Sequence, residues 1–353
     1  MEFLIMTEIN FEKSSYILKT GDCLDLLKKL PSDSIDCVIT SPPYWQQRVY
    51  EDYSGEMLNI IGTEDNPGDY VKNLINVFRE IKRVLKNNGS FWLNIGDKFY
   101  DKNLMGMPWR VALAMQDDGW ILRNDIIWDQ MKGTQSAKDR FRNIYEHVFH
   151  FVKSRKHYYF DDVSIRIKPA KQAYDNNGSI ISATGVSGKK YFSQIENSNV
   201  LSEKEKENAR NALNETLDML RKGEIVDFRM TIRGEQRTYH SSNKKISGRA
   251  KELEDKGYYI IKMGAKGYLP SNIWRIVPED KWRKDAHCAV FPEELLKIPI
   301  LSTCPKDGIV LDPFSGTGST VEAAVFHGRY GIGYDISAQY TAFAKKRLQE
   351  STR

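Results

Sequence analysis

The stretch Ile35-Asp36-Cys37-Val38-Ile39 runs directly into Thr40-Ser41-Pro42-Pro43-Tyr44-Trp45. Its apolar part reads as a short buried strand. Two consecutive prolines cannot continue a hydrogen-bonded ladder, so the chain must leave the sheet at Ser41 in a stiff, extended turn. That turn presents a hydroxyl, bare carbonyls and two aromatic rings together. Because proline has no N–H, the carbonyls around Ser41 and Pro42 are harder to tie up locally and can accept hydrogens from an incoming amine. A planar ring carrying that amine could stack on Tyr44. Taken alone, Pro-Pro-Tyr is equally an ordinary strand-ending loop, with Trp45 either walling a pocket or packing beneath the turn.

A second stretch near the other end, Ile309-Val310-Leu311-Asp312-Pro313-Phe314-Ser315-Gly316-Thr317-Gly318-Ser319-Thr320, reads as strand, acid, glycine-rich turn and then a helix beginning near Ser319. Together the two stretches resemble the amino-methylating DNA methyltransferases. In that family a Ser/Asp/Asn-Pro-Pro-Tyr/Phe loop receives the base, and a D-P-F-x-G-x-G-T loop binds S-adenosylmethionine. With the catalytic loop first and the cofactor loop last, the order is similar to that of the circularly permuted beta group. The resemblance implies an α/β fold with a doubly wound, mostly parallel sheet of the S-adenosylmethionine-dependent methyltransferase type and an inserted target-recognition region.

It also implies roles. Ser41, Pro42, Pro43 and Tyr44 would form the catalytic turn, and Asp312, Pro313, Phe314, Gly316, Gly318 and Thr320 the cofactor turn. Asp22 matches the family acid that contacts the cofactor's adenine amine, and a helix N-cap is an equally good reading of it. Phe291, within Ala289-Val290-Phe291-Pro292-Glu293-Glu294-Leu295, matches the segment beside the cofactor's methionine end, which also reads as a plain helix start. Asp335 follows Gly316 by about the 20 residues at which a nucleotide-binding unit places an acid on the ribose. Val321 stands where a dinucleotide fingerprint has its third glycine, which disfavours NAD and suits a sulfonium cofactor. By the resemblance, Ser-Pro-Pro-Tyr is the form usual in cytosine-N4 enzymes, with adenine-N6 as the alternative. A protein-amide methyltransferase and a DNA-binding relative without turnover are more distant readings.

The chain has 353 residues, enough for one large α/β domain with a substantial insertion. No run is long enough to span a bilayer, and the acidic start lacks the positive charge of a signal peptide. A cytoplasmic, nucleoid-associated protein is expected. Cys23, Cys37, Cys288 and Cys304 are scattered without metal-ligand spacing, and no metal is expected.

In order, a strand is expected at Tyr16 to Lys19 and a short helix carrying Leu24, Leu26, Leu27 and Leu30. A long functional loop follows, with Gln46, Gln47, Arg48, Tyr50 and Tyr53, and then a helix from Asn66-Pro67 that Asn88-Gly89 stops. Ser90 to Ile95, Trp120 to Trp128 and Tyr145 to Val152 read as strands, the last two matching an antiparallel pair at the sheet edge in the resembled family. His147 and His150 in the last strand read as structural.

Residues 1–152 and 270–353 are expected to be the catalytic and cofactor-binding halves of one domain, and 153–269 an inserted target-recognition region with few apolar clusters. Between Arg221 and Arg249, eight Lys/Arg face three Asp/Glu, a local excess equal to the whole chain's net charge of +5. Arg229, Arg233, Arg237, Lys244, Lys245 and Arg249 are interleaved with groups that can reach base edges and phosphates, and are the expected DNA contacts. Double-stranded DNA is the implied partner, and the resemblance also allows a cognate restriction endonuclease and a second copy of the chain.

Overall fold

The computed structural model describes residues 9–11, 14–47, 61–131, 138–168, 173–176, 178–235, 248–278 and 291–351. Two compact units emerge, one made of 1–165 with 271–353, the other of 166–270.

In the first unit, strand β1 (Tyr16–Thr20) leads to helix α1 (Cys23–Leu27), whose start is capped by Asp22, and β2 (Ile35–Thr40) ends at the Ser-Pro-Pro turn. Helix α2 (Pro67–Val84) passes straight into β3 (Leu85–Ile95). A small hairpin, β4 (Phe99–Tyr100) with β5 (Asn103–Leu104), precedes α3 (Met107–Asp117), and β6 (Ile121–Asp129) and β7 (Tyr145–Val152) follow. In the second unit lie β8 (Tyr174–Asn176), β9 (Ser179–Ile181), α4 (Lys189–Glu196), α5 (Glu203–Arg221), β10 (Ile225–Ile232), α6 (Arg249–Lys256) and β11 (Tyr258–Gly264). The chain then returns to the first unit with β12 (Ile273–Arg275), α7 (Glu293–Thr303), β13 (Ile309–Asp312), α8 (Ser319–Phe326), β14 (Tyr330–Asp335) and α9 (Ala338–Ser351).

The first unit is organised by an eight-stranded sheet in the order β1-β14-β13-β2-β3-β7-β6-β12. Every neighbouring pair is parallel except the two that involve β7. Strand β2 is buried on both faces, as a central parallel strand must be. Its residues alternate: Val38 enters the core that includes Tyr70, Leu74 and Phe78 of α2, while Cys37 and Ile39 enter the core with Leu296 and Ile300 of α7. Helices therefore cover both faces of the sheet, the doubly wound arrangement expected.

Two boundaries differ from expectation. Helix α2 stops at Val84, not at Asn88-Gly89, because Leu85 turns extended and pairs with Ile35. Gly89 instead serves the strand: a Cβ there would lie 2.8 Å from the Asp36 carbonyl oxygen. The antiparallel pair β6–β7 forms, but β6 is not the edge, since the three residues of β12 pair alongside it.

The second unit corrects the expectation of few apolar clusters. One face of α5 carries Leu213, Leu217 and Leu220 onto Phe228, Met230 and Ile232 of β10, which pairs with β11. Ser202 and Glu205 close the start of α5 as a reciprocal capping box.

Candidate active site

Strands β2 and β13 are parallel neighbours, with Val310 opposite Cys37 and Leu311 opposite Val38. The Ser-Pro-Pro turn after β2 and the glycine turn after β13 must therefore emerge side by side, at the carboxyl ends of the strands where open α/β sheets hold ligands. Thr40 Oγ1 donates to Asp312 Oδ1 at 2.5 Å and ties the two exits together. A cavity of about 860 Å³ lies over them, within the size range of small-molecule sites.

Ser41, Pro42, Pro43 and Tyr44 line one end of this cavity. The other end is lined by Asp22, Phe291, Asp312, Pro313, Phe314, Gly316, Thr320 and Asp335, so these expected cofactor positions converge. Gly318 stands behind the turn, with φ +81° and a hypothetical Cβ only 2.8 Å from Ala344 Cβ. It permits the left-handed backbone and the close approach of α9 rather than touching the cavity.

The acids of the glycine end are built in different ways. Asp312 accepts from Thr40, from Thr320 Oγ1 at 2.7 Å and from the Phe314 N–H at 3.0 Å. Burial pushes its pKa up to about 6, against those hydrogen bonds, which pull it down. Asp312 thus shapes the turn from within. Asp335 accepts the Gly316 N–H with one oxygen and the Ser337 N–H with the other, both at 2.8 Å, and burial raises its pKa despite them. Asp22 is an N-cap, accepting the Asp25 N–H at 3.0 Å, and it also lines the cavity. Ser315 also lines the cavity, and its buried Oγ has no hydrogen-bond partner among the described residues.

At the other end Ser41 Oγ donates to Tyr44 Oη at 3.2 Å, and Tyr44 Oη donates to Glu146 Oε2 at 2.6 Å. Asn94 Nδ2, from the end of β3, reaches Ser41 Oγ, Tyr44 Oη and Glu146 Oε2 at 3.3, 2.8 and 2.7 Å. Gln130 Nε2 donates to Glu146 Oε1 at 3.0 Å. Burial first, and the Glu146 carboxyl second, hold the Tyr44 phenol well above its ordinary range. The Pro43 carbonyl is taken by Tyr70 Oη at 3.0 Å, so the carbonyl best placed to accept from a ligand is that of Pro42. Asn94 is almost wholly buried, and its Oδ1 has no hydrogen-bond partner among the described residues. An orphaned acceptor of this kind costs about 1–3 kcal/mol until a donor arrives.

Asn94, Gln130 and Glu146 were not among the residues singled out from sequence. A signal existed for Glu146, the one acid in the strand Tyr145–Val152. Its position follows from direction: β7 runs against its neighbours, so its beginning lies where β2, β3 and β6 end.

Trp45 packs beneath the turn, 2% exposed, its Nε1 donating to the Glu64 carbonyl at 2.8 Å. The histidines of β7 have structural partners. His150 stacks on Trp92 with ring centres 4.2 Å apart, contacts Ser90 Oγ at 3.0 Å, and burial lowers its pKa to about 3. His147 lies 2.8 Å from Asp125.

Among the expected DNA contacts, Arg233 has partners within its own unit. It bonds both carboxyl oxygens of Glu205, at 2.8 and 2.9 Å, and the carbonyls of Glu254 and Val200, making it an internal staple of the second unit. Arg229 bonds Asp227 and Thr184 while remaining about half exposed. Arg249 is exposed at the start of α6. Arg237, Lys244 and Lys245 lie outside the described residues, as do Arg48, Tyr50, Tyr53, Ala289 and Val290.

Residues 35–346 match the family described as DNA methylase, the N6/N4 methyltransferases. The chain is 31% identical to the Type II methyltransferase M.SfiI of Streptomyces fimbriatus, over 92% of this chain and 89% of that protein. It is 27% identical to M.SmaI of Serratia marcescens, over 93% and 89%. The fold is similar to that of the PvuII DNA methyltransferase (cytosine-N4-specific), with TM-score 0.55 and 18% identity over 96% of this chain and 92% of that one.

Proposed function

This chain belongs to the N6/N4 DNA methylase family, and we propose that it methylates the exocyclic amine of a cytosine, at N4, in duplex DNA, with S-adenosylmethionine as donor and as the modification enzyme of a type II restriction system. The observation that carries this reading is the pair of acceptors in the Ser-Pro-Pro turn, Ser41 Oγ and the Pro42 carbonyl, on residues that line the cavity beside the glycine turn. An exocyclic amine brings the two N–H donors that such a pair lacks.

The other end suits the cofactor. The acids Asp22 and Asp335, the ring of Phe314 and the open space at Gly316 would hold an adenosine and its sulfonium chain. When bound, the cofactor supplies an electrophilic methyl group. The protein's own contribution is mainly alignment, which is worth several kcal/mol when reacting atoms are held in line. Acceptors at Ser41 and Pro42 would draw the amine's hydrogens and free its lone pair from ring conjugation. Flipping the base costs a few kcal/mol, and stacking on Tyr44 returns about 1–3 kcal/mol of it. Arg229 and Arg249 are the described residues proposed to meet DNA phosphates.

The test is to incubate the protein with S-adenosylmethionine and mixed duplex DNA, digest to nucleosides and weigh them. N4-methyl-2′-deoxycytidine is the expected product. N6-methyl-2′-deoxyadenosine alone overturns the base assignment, favouring the runner-up, and no methylated base at all overturns the activity. Sequencing the modified positions then supplies a substrate duplex of known site.

A further inference from the structure

Ser41 and Tyr44 form a chain of hydrogen-bond donors that runs one way, away from the cavity and into the carboxyl group of Glu146. Among the described residues, Glu146 accepts hydrogen bonds from Tyr44, Asn94 and Gln130 and donates none. A serine hydroxyl that donates onward keeps its own oxygen available to accept. Ser41 by itself is a poor base, and burial together with the Glu146 carboxyl keeps the Tyr44 phenol protonated. Both hydroxyls can pass a proton on, but neither can retain one.

We propose that Glu146 is the terminal acceptor of the proton released on amine methylation, reached through the hydroxyls of Ser41 and Tyr44. The inference rests on the amino-methyltransfer reading above. As the amine lone pair forms the N–CH3 bond, the C–S bond of the donor breaks and its electron pair stays on sulfur. The N–H bond then breaks with its pair returning to nitrogen, and the proton passes to Ser41 Oγ. Ser41's own proton moves to Tyr44 Oη, and Tyr44's own proton to Glu146 Oε2. The two hydroxyls finish as they began, and Glu146 holds one proton until the product leaves and solvent takes it. Asn94 and Gln130 cannot serve in its place, because a neutral amide is no proton sink. Their part is to hold the carboxyl group in line with Tyr44.

Glu146→Gln keeps the size of the side chain and an acceptor for Tyr44 but cannot take the proton. On the mapped duplex, its kcat is expected to fall about 100-fold, the usual scale for a lost general base, with KM for DNA, DNA affinity without cofactor, and melting temperature all close to wild type. In Glu146→Ala, added formate should restore part of kcat, and the same formate should not help Glu146→Gln. Tyr44→Phe keeps the ring and removes the relaying hydroxyl. It should lose kcat to a similar extent, and the double variant should lose no more than either single one. A Glu146→Gln enzyme with kcat within about threefold of wild type would overturn the relay, given the 100-fold scale expected of a base. So would a loss confined to KM or DNA affinity, full activity in Tyr44→Phe, or losses that multiply. If the wild type produces no methylated amine, it is the reading of the reaction that fails, and the two failures are thereby distinguished.

Discussion

Thr40 Oγ1 and Asp312 Oδ1 meet at 2.5 Å, joining the last residue of β2 to the last residue of β13 across 272 positions of sequence. This contact fixes the offset between the two turns on which methyl transfer depends, and it places a carboxyl group where water does not reach.

Asp312 should therefore leave a mark on stability. Its pKa is raised from 3.8 to about 6, chiefly by burial. An acid raised in this way stabilises the fold fully below its unfolded value, and that contribution is lost as pH rises through the folded value. Against Asp312→Asn, the wild type is expected to gain about 3 kcal/mol between pH 7 and pH 3.5. Denaturant titrations of both proteins across that range check it; a difference independent of pH would show that Asp312 does not titrate there.

Ser41→Ala removes the hydroxyl that accepts from the amine and leaves the turn's prolines in place. The expected result is loss of about 2–3 kcal/mol of transition-state stabilisation, roughly 100-fold in kcat, with S-adenosylmethionine affinity unchanged. Tritium transfer to DNA measures the first and calorimetry the second. Unaltered tritium transfer would place the chemistry elsewhere in the molecule.

Gly96 makes room for Tyr44. A Cβ at this position would lie 2.8 Å from Tyr44 Cε2, closer than packed carbons come, so Gly96→Ala must push the ring aside or twist it. The expected outcome is a drop in kcat/KM for DNA of about tenfold or more, equivalent to 1.4 kcal/mol, without change in cofactor affinity. Wild-type kinetics in Gly96→Ala would mean that the ring's position is immaterial.

How much of this could be read beforehand depends on whether a feature is local. Pro42-Pro43 and Gly316-x-Gly318 announce themselves, because missing N–H groups and left-handed turns constrain the backbone whatever surrounds it. Asp22 reads both as a helix cap and as a cavity acid because the residue that caps α1 also lines the cavity. Glu146 and Asn94 become site residues only through the order of the sheet and the reversed direction of β7, which a single sequence does not print. The end of α2 is non-local in the same way: Asn88-Gly89 has the chemistry of a helix stop, but pairing of Leu85 with Ile35 ends the helix four residues earlier.

Arg233 and Arg249, both expected to meet DNA, differ in their surroundings. Arg233 lies in a two-pronged pair with Glu205 at 2.8 and 2.9 Å, with side chains 28% and 22% exposed. Arg233→Glu should loosen residues 166–270 by about 2 kcal/mol, the scale of hydrogen bonds to a charged group, read as faster hydrogen exchange along the β10–β11 ladder. Arg249 is exposed, and Arg249→Glu should leave that ladder alone. Its expected effect is on DNA: weaker binding, and a slope of log affinity against log salt shallower by about one, as follows when one phosphate contact is lost. An unchanged slope in Arg249→Glu would mark this arginine as ordinary solvated surface. A shallower slope in an Arg233→Glu protein whose ladder is intact would return that residue to the DNA interface.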